Sequence, residues 1–273
     1  MKILLLSDLH GRNDWFQFAE TFPADLTAIA GDLLDGFSPA GFLPQAIALA
    51  RWTRRFPHPL AVCSGNHDSN TPNRALEPDA IQSLDDSARD EALTLLTAEY
   101  WMDALEGPQI VTDRRSRLME TPSGPIVITT LPYDEGEATH PRTIEALWHE
   151  GHQLRREHSA PWLVLHHEPP NPLSGKRTGS FGFADYTERL REYQPDFALS
   201  GHLHLAPYHT SFANRIGKTW CFNPGHPPPL QANRAKNPNH ILLDLPAATA
   251  IWTATPPRGT APLTQKIPLR PTK

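Results

Sequence analysis

The stretch Ile3-Leu4-Leu5-Leu6-Ser7-Asp8-Leu9-His10-Gly11 contains the pattern that decides the fold. A run of four aliphatic residues, long enough for a buried strand, leads into a carboxylate and an imidazole two positions apart. Residues two apart in an extended segment project to the same side, so Asp8 and His10 can reach one metal ion or two adjacent ions. A single pair of this kind is common on protein surfaces, so its meaning depends on the rest of the chain.

Four further apolar runs end in the same way. Residues 26–30 lead into Gly31-Asp32-Leu33-Leu34-Asp35, residues 60–63 into Ser64-Gly65-Asn66-His67-Asp68, residues 162–165 into His166-His167-Glu168-Pro169-Pro170, and residues 197–199 into Ser200-Gly201-His202-Leu203-His204. Because ligands of open α/β sheets bind beyond the carboxyl ends of the strands, we expect these loops to converge on one crevice. Each loop alone is weak evidence, but five in this order are hard to obtain by chance.

The remaining pattern predicts an α/β protein. Helix-like spacing of apolar residues occurs at 14–22, 44–56, 87–105, 142–158 and 183–193, and further strand-like runs occur at 126–131, 220–222 and 241–245. Near-continuous apolar strands indicate sheets that are covered on both faces. For 273 residues we expect a single domain over residues 1–255, followed by a Pro-rich, extended C-terminal tail at 256–273.

Composition excludes several classes of function. The formal net charge of −5 disfavours a nucleic-acid partner, and no apolar run approaches the length of a membrane span or an export signal. The two cysteines, Cys63 and Cys221, cannot make a disulfide framework. We therefore expect a cytoplasmic protein that does not bind membranes.

The side chains after the five strands favour a particular kind of metal. They offer carboxylate, imidazole and amide oxygen but no thiolate, which suits Mn, Fe, Zn, Co or Ni better than a structural zinc site built from cysteines. Two ions are plausible in such a site. Two divalent ions carry about +4, Asp8 and Asp32 about −2 and a bridging hydroxide about −1, which leaves the site near +1 and attractive to phosphate.

The ordered motifs Asp-x-His, Gly-Asp, Gly-Asn-His-Asp, His and Gly-His-x-His resemble those of the calcineurin-like metallophosphoesterases, between Asp8 and His204. The resemblance implies a four-layer αββα sandwich of two mixed β-sheets flanked by helices, with a dinuclear metal site. The implied ligands of one ion are Asp8, His10 and His204, those of the other are Asn66, His202 and a histidine of the fourth motif, and Asp32 bridges both. His67 would act as the acid on the leaving oxygen or steady the transition state, oriented by Asp68.

The fourth motif contains two adjacent histidines. Family members often read His-Glu-Pro-Pro or His-x-Pro-Pro there, which aligns His167 with the ligand and leaves His166 as its neighbour, so we predict His167. His166 joins Arg12, Lys176 and Arg177 as candidate substrate-binding residues, since cations near the site could meet a phosphate. An exposed charged loop or helix start explains the three cations equally well.

We therefore expect a metal-dependent phosphoester hydrolase, a phosphatase or a phosphodiesterase, that works by metal-bound hydroxide with His67 as acid. The sequence Gly31-Asp32-Leu33-Leu34-Asp35-Gly36-Phe37 lacks the arginine that the family's protein Ser/Thr phosphatases carry after the second aspartate. This favours a small phosphoester as the substrate. The alternative is a scaffold or interaction protein that keeps the fold without catalysis, and the presence of His67 argues against it.

Overall fold

Two β-sheets lie face to face, with helices on their outer faces. The computed structural model describes residues 1–38, 41–69, 81–82, 84–98, 100–105, 107, 109–133, 141–170, 184–204, 212–227, 235–254 and 261–269. The strands are β1 (Lys2–Leu6), β2 (Leu26–Ala30), β3 (Leu60–Cys63), β4 (Ile110–Val111), β5 (Arg115–Thr121), β6 (Gly124–Thr130), β7 (Trp162–Leu165), β8 (Phe197–Leu199), β9 (Ala213–Ile216), β10 (Thr219–Phe222), β11 (His240–Asp244), β12 (Thr249–Ala254) and β13 (Leu263–Pro268). The helices are α1 (Asn13–Thr21), α2 (Phe42–Arg54), α3 (Asn66–Ser69), α4 (Asp86–Thr97), α5 (Pro141–His158) and α6 (Ala184–Tyr193), with a 3-10 helix at Trp101–Leu105.

Both sheets are mixed. The first has the strand order β13-β12-β11-β1-β2-β3-β4, in which β1 to β4 are parallel and β11 to β13 antiparallel. The second has the order β5-β6-β7-β8-β10-β9, in which β6, β7, β8 and β10 are parallel and the two edge strands antiparallel. The parallel strands of both sheets carry the motif loops at their carboxyl ends.

Alternation along the strands separates the core into three layers of side chains. In β1, Leu4 and Leu6 pack with residues of α1, α2 and α4, whereas Ile3 and Leu5 pack between the two sheets. On the outer face of the second sheet, Val164 packs with Trp148 of α5 and with residues of α6. Three such layers separate two helix layers and two sheets, so the four-layer αββα sandwich is confirmed.

Most elements lie where the apolar pattern predicts them. The helix expected over residues 87–105 is two elements in the structure, because α4 ends at Thr97 and a separate 3-10 helix begins at Trp101. Within the segment expected to be an extended tail, Leu263–Pro268 pairs with β12 as an edge strand. No helix among the described ranges is long and apolar enough to cross a membrane.

Candidate metal centre

The loops after β1, β2, β3, β7 and β8 meet at one edge of the sandwich. Backbone hydrogen bonds join them in pairs: the His10 N–H donates to the Asp32 carbonyl at 2.9 Å, and the Gly201 N–H donates to the His167 carbonyl at 2.9 Å. Across the two sheets, the His202 N–H donates to Oδ1 of Asp8 at 3.1 Å. The loops therefore form one connected structure, as the motif pattern predicts.

Four of the expected ligand residues have a left-handed backbone. The φ angles are +55° for Asp8, +46° for His10, +50° for Asp32 and +63° for His202. This region is unfavourable for residues other than glycine, at a cost of order 1–3 kcal/mol each, and such residues cluster at functional sites. The surrounding hydrogen bonds hold these side chains in the crevice at the expense of backbone strain.

The first ligand group consists of Asp8, His10, Asp32 and His204, whose ligand atoms all lie within 4.8 Å of one another. Nε2 of His204 is 3.1 Å from Oδ1 of Asp8 and 3.4 Å from Nε2 of His10. Nε2 of His10 is 3.9 Å from Oδ2 of Asp32. These side chains could hold one metal ion.

A second group of side chains meets on the other side of Asp32. Oδ1 of Asn66 lies 3.1 Å from Nε2 of His167 and 3.0 Å from Nδ1 of His202. Nε2 of His167 is also 3.4 Å from Oδ2 of Asp32. Because Asp32 takes part in both groups, it occupies the position that the resemblance assigns to a bridging ligand.

The two histidines of the fourth motif lie on opposite sides of their sheet. His167 is fully buried, and its Nδ1 is 2.8 Å from the Ala30 carbonyl, so the ring donates there and turns Nε2 toward the ligand group. The ring of His166 lies 4.9 Å from that of Tyr186, on the helix side of the sheet. Of the two, the structure brings only His167 into the ligand group.

The buried carboxylates of the site are held in their charged form, which suits the binding of a cation. Burial alone would raise the pKa of Asp8, but the hydrogen bond to His204 and the nearby histidines hold it well below its ordinary value. The pKa of Asp32 is lowered in the same way: burial alone would raise it, but the charge and hydrogen bond of His167 lower it. In turn, although burial favours neutral imidazole, Asp32 raises the pKa of His167 to about 9. Oδ2 of Asp8 is buried without a hydrogen-bond partner among the described residues, and such an orphaned carboxylate oxygen fits a metal ligand.

Two glycines allow the loops to approach this closely. A Cβ at Gly201 would lie 2.7 Å from the Ala30 carbonyl oxygen and 2.8 Å from Oδ2 of Asp8. A Cβ at Gly65 would collide with Oδ1 and the backbone nitrogen of Asp32. Glycine is therefore required at both positions by space rather than by a special φ.

His67 faces the same carboxylate as the ligands. Its Nε2 is 3.9 Å from Oδ2 of Asp32, and its Nδ1 accepts a hydrogen bond from the Gly36 N–H at 2.9 Å. Because Nδ1 is an acceptor, the neutral ring carries its proton on Nε2. The structure thus orients His67 through Gly36.

Asp68 is buried beneath the loops. Its carboxylate accepts from the backbone N–H groups of Leu33, Leu34 and Gly65, at 3.1, 2.9 and 2.8 Å, and so ties the second loop to the third. Burial, together with the charge of Asp32, raises its pKa to about 7. Orientation of the His67 ring by Asp68 stays a prediction.

Of the candidate substrate-binding cations, Arg12 alone lies among the described residues. Arg12 forms an ion pair with Asp14 at 2.6 Å, donates to the Ala235 carbonyl and stacks over Trp15 with its guanidinium 4.3 Å from the ring centre. Lys176 and Arg177 lie outside the described residues. A role for these three residues, or for His166, in substrate binding stays a prediction.

Three aromatic rings flank the ligand groups. His226 lies 4.8 Å from His204, Tyr133 lies 5.7 Å from His167, and Phe37 lies 5.1 Å from His67, each measured between ring centres. Phe37 and Tyr133 did not stand out from the sequence. The available signal for Phe37 was an aromatic residue inside the second motif loop, where loop residues are ordinarily polar.

Comparison with known proteins agrees with this architecture. A family model described as calcineurin-like phosphoesterase matches residues 1–206, whereas no curated protein sequence matches the chain significantly. Among solved structures, the protein TT1561 of Thermus thermophilus has a TM-score of 0.56 at 14% identity, covering 98% of this chain and 99% of its own. GAP50, the anchor in the inner membrane complex of Plasmodium, has a TM-score of 0.54 at 11% identity, covering 100% and 90%.

A dimetal phosphatase from Danio rerio has a TM-score of 0.52 at 10% identity, covering 97% of this chain and 98% of its own. At these identities the solved structures show a shared fold. The family model spans most of the chain and contains every motif from Asp8 to His204. The chain therefore belongs to the calcineurin-like phosphoesterase family.

Proposed function

We propose that this protein hydrolyses small phosphate monoesters or diesters with the help of two divalent metal ions. The observation that carries the proposal is the convergence of two ligand groups on Asp32, with His67 facing the same carboxylate. One ion would be held by Asp8, His10, His204 and Asp32, and the other by Asn66, His167, His202 and Asp32. When bound, such ions activate water for attack on phosphorus and neutralise phosphate charge.

The chain's own groups supply the remaining parts of the reaction. The two buried carboxylates draw cations into a crevice of a protein whose net charge is negative. Since the Gly36 N–H occupies Nδ1 of His67, the Nε2–H is the proton that this ring presents to the oxygen leaving phosphorus. Hydrogen bonding at that oxygen stabilises the charge that develops there.

The state of the two cysteines supports a reducing compartment such as the cytoplasm. Cys63 and Cys221 are both free and buried. Burial also raises the pKa of each thiol, which keeps it protonated and unreactive.

The direct test is restoration of activity to protein stripped of metal. We expect Mn, and in parallel Fe, Zn, Co or Ni, to restore hydrolysis of p-nitrophenyl phosphate or of its bis ester, followed by release of nitrophenolate. Comparing the two esters separates monoesterase from diesterase behaviour. Inactivity with every metal and both esters would contradict the proposal and favour a non-catalytic scaffold.

A variant of His67 tests its assigned role. We expect His67→Ala to keep its metal content but to lose about 10²- to 10⁴-fold in kcat, because the leaving oxygen loses its proton donor. His158→Ala, which changes an exposed histidine at the end of α5, is the matched control. Loss of metal from His67→Ala in parallel with the rate would show that this ring is a ligand instead.

A further inference from the structure

Phe37 is an exposed aromatic side chain at the edge of the candidate site. Its side chain is 88% exposed, more than any other large hydrophobic residue in the described ranges. Its ring centre lies 5.1 Å from that of His67, at an interplanar angle of 82°. Single exposed apolar residues are common on protein surfaces. Phe37 differs from them because its ring makes edge-to-face contact with the imidazole of His67, a candidate catalytic residue.

Hydrogen bonds on both sides of Phe37 hold the backbone from which its ring extends. The Phe37 N–H donates to Oδ1 of Asp35 at 3.0 Å, and the Ser38 N–H donates to the Asp35 carbonyl at 3.1 Å. The preceding Gly36 N–H donates to the His67 ring at 2.9 Å. The same short turn therefore orients the imidazole and presents the phenyl ring beside it.

The proposed role of His67 as proton donor places the organic group of a substrate near the Phe37 ring. If His67 donates to the leaving oxygen, the group bonded to that oxygen extends away from the ligand groups on the His67 side. There is room for it beside Phe37, because 88% of that side chain is exposed. A leaving group in this place would cover the exposed face of Phe37.

We propose that Phe37 is a specificity residue that contacts the leaving group, and that the preferred substrates are phosphoesters of aromatic or similarly flat, apolar alcohols. The inference rests on the proposed function and names its substrate class. Aromatic pairs gain from edge-to-face or offset contact in addition to the burial of apolar area. Asp35, in the same turn, would repel a leaving group that carries a second anion, so polyphosphate leaving groups fit less well.

Kinetics with two matched monoesters test the contact. On metal-loaded protein, we expect Phe37→Ala to lower kcat/KM about tenfold for phenyl phosphate and less than about twofold for ethyl phosphate. Because each variant is compared with wild type on the same ester, the different intrinsic reactivities of the two esters cancel. Phe37→Trp, which keeps an aromatic ring at this position, should retain the preference for the phenyl ester that Phe37→Ala loses. Leu93→Ala, which removes another exposed apolar side chain on α4, is the control and should change neither rate.

Equilibrium binding provides a readout that does not require turnover. We expect wild-type, metal-loaded protein to bind phenylphosphonate more tightly than methylphosphonate in titration calorimetry, and Phe37→Ala to remove most of that difference. A merely structural role of the Phe37 turn would weaken both phosphonates equally, since their phosphonate groups are the same.

The outcomes separate this inference from the proposed function. Equal losses for both esters, or unchanged rates in Phe37→Ala, would overturn the contact with the leaving group, as would a wild type that binds the two phosphonates alike. A wild type that hydrolyses neither these monoesters nor bis-p-nitrophenyl phosphate, but binds phenylphosphonate more tightly in a way that depends on Phe37, would overturn the proposed hydrolysis and keep the aromatic contact.

Discussion

The side chains of His166 and His167 extend to opposite faces of the six-stranded sheet. In the strand before them, Val164 packs on the helix side and Leu165 packs between the sheets. The period of two continues past the strand end, so His166 falls on the helix side and His167 on the side of the partner sheet. One step along the backbone thus decides which imidazole can reach Asp32.

We expect His167→Ala to lose more bound metal than His166→Ala. His167 contributes an Nε2 that lies 3.4 Å from Asp32, whereas the ring of His166 packs against Tyr186. Metal per protein, measured by plasma mass spectrometry after gel filtration, reports the difference. His166→Ala should instead lower thermal stability, because it leaves a cavity beside a buried ring. The reverse order of metal loss would assign the ligand to His166.

Apart from the family resemblance, which favours His167, the sequence left this pair open for a physical reason. It places both histidines at a strand end but does not say which face of the strand meets the other sheet. The left-handed backbone at Asp8, His10 and Asp32 was equally hidden, because a positive φ is uncommon even for Asp and His, the non-glycine residue types that are enriched in it. By contrast, residue type and order predicted that these loops converge, and the family resemblance named the side chains that meet around Asp32.

At the scale of elements, the loop after β3 packs tightly against the loop after β2. The Gly65 N–H donates to Asp68, and the His67 N–H donates to Oδ1 of Asp32 at 2.9 Å. These bonds place Asn66, the first residue of α3, beside His167. The short helix α3 therefore positions both Asn66, the candidate amide ligand, and His67.

We expect Gly65→Ala to displace Asp32 and to lower both metal affinity and stability. The added methyl group would overlap Oδ1 and the backbone nitrogen of Asp32, and overpacking of this kind costs about 1–3 kcal/mol. Gly107→Ala is the matched control, because the contact its Cβ would make among the described residues is with Ile110 at an ordinary 3.6 Å. Urea unfolding and metal titration of both variants measure the effect. Equal behaviour of the two variants would show that the loop can move aside.

Three of the strands that the sequence did not predict share a property. In β13 most side chains are exposed, and in β9 and β5 much of each strand is partly exposed, so an apolar run is absent. These strands lie at the edges of their sheets, where only one neighbouring strand is present. Buried central strands such as β2 and β7 can be recognised by their run of apolar residues. The three edge strands form by pairing with the neighbouring strand in the chain, and their exposed faces leave no such run in the sequence.

At the scale of the whole molecule, Asp113 links the two sheets beneath the candidate metal centre. It lies in the connection from β4 to β5 and is fully buried. Its carboxylate accepts from the Ser64 N–H at 2.8 Å and from the Tyr100 hydroxyl at 2.9 Å. Ser64 in turn accepts at Oγ from the Tyr133 N–H at 2.9 Å. A single acid thus joins the loops after β3 and β6.

Asp113 should give the protein a stability that depends on pH. Burial raises its pKa from 3.8 to about 6, against the hydrogen bonds that favour the charged form. The folded state therefore binds more protons than the unfolded state between about pH 4 and pH 6, and stability falls as pH rises through that window. Above pH 6 this contribution is constant. A shift of this size corresponds to about 3 kcal/mol across the window.

We expect Asp113→Asn to remove that slope, since asparagine does not titrate. The free energy of unfolding, measured in urea from pH 4 to pH 8 with a chelator present, should favour the wild type over Asp113→Asn more strongly at pH 4 than at pH 7. The chelator removes the pH dependence of metal binding from the comparison. Asp86→Asn, which changes an almost fully exposed carboxylate, should leave the slope in place. Parallel curves for the wild type and Asp113→Asn would mean that Asp113 stays charged in the fold, held by Ser64 and Tyr100 despite its burial.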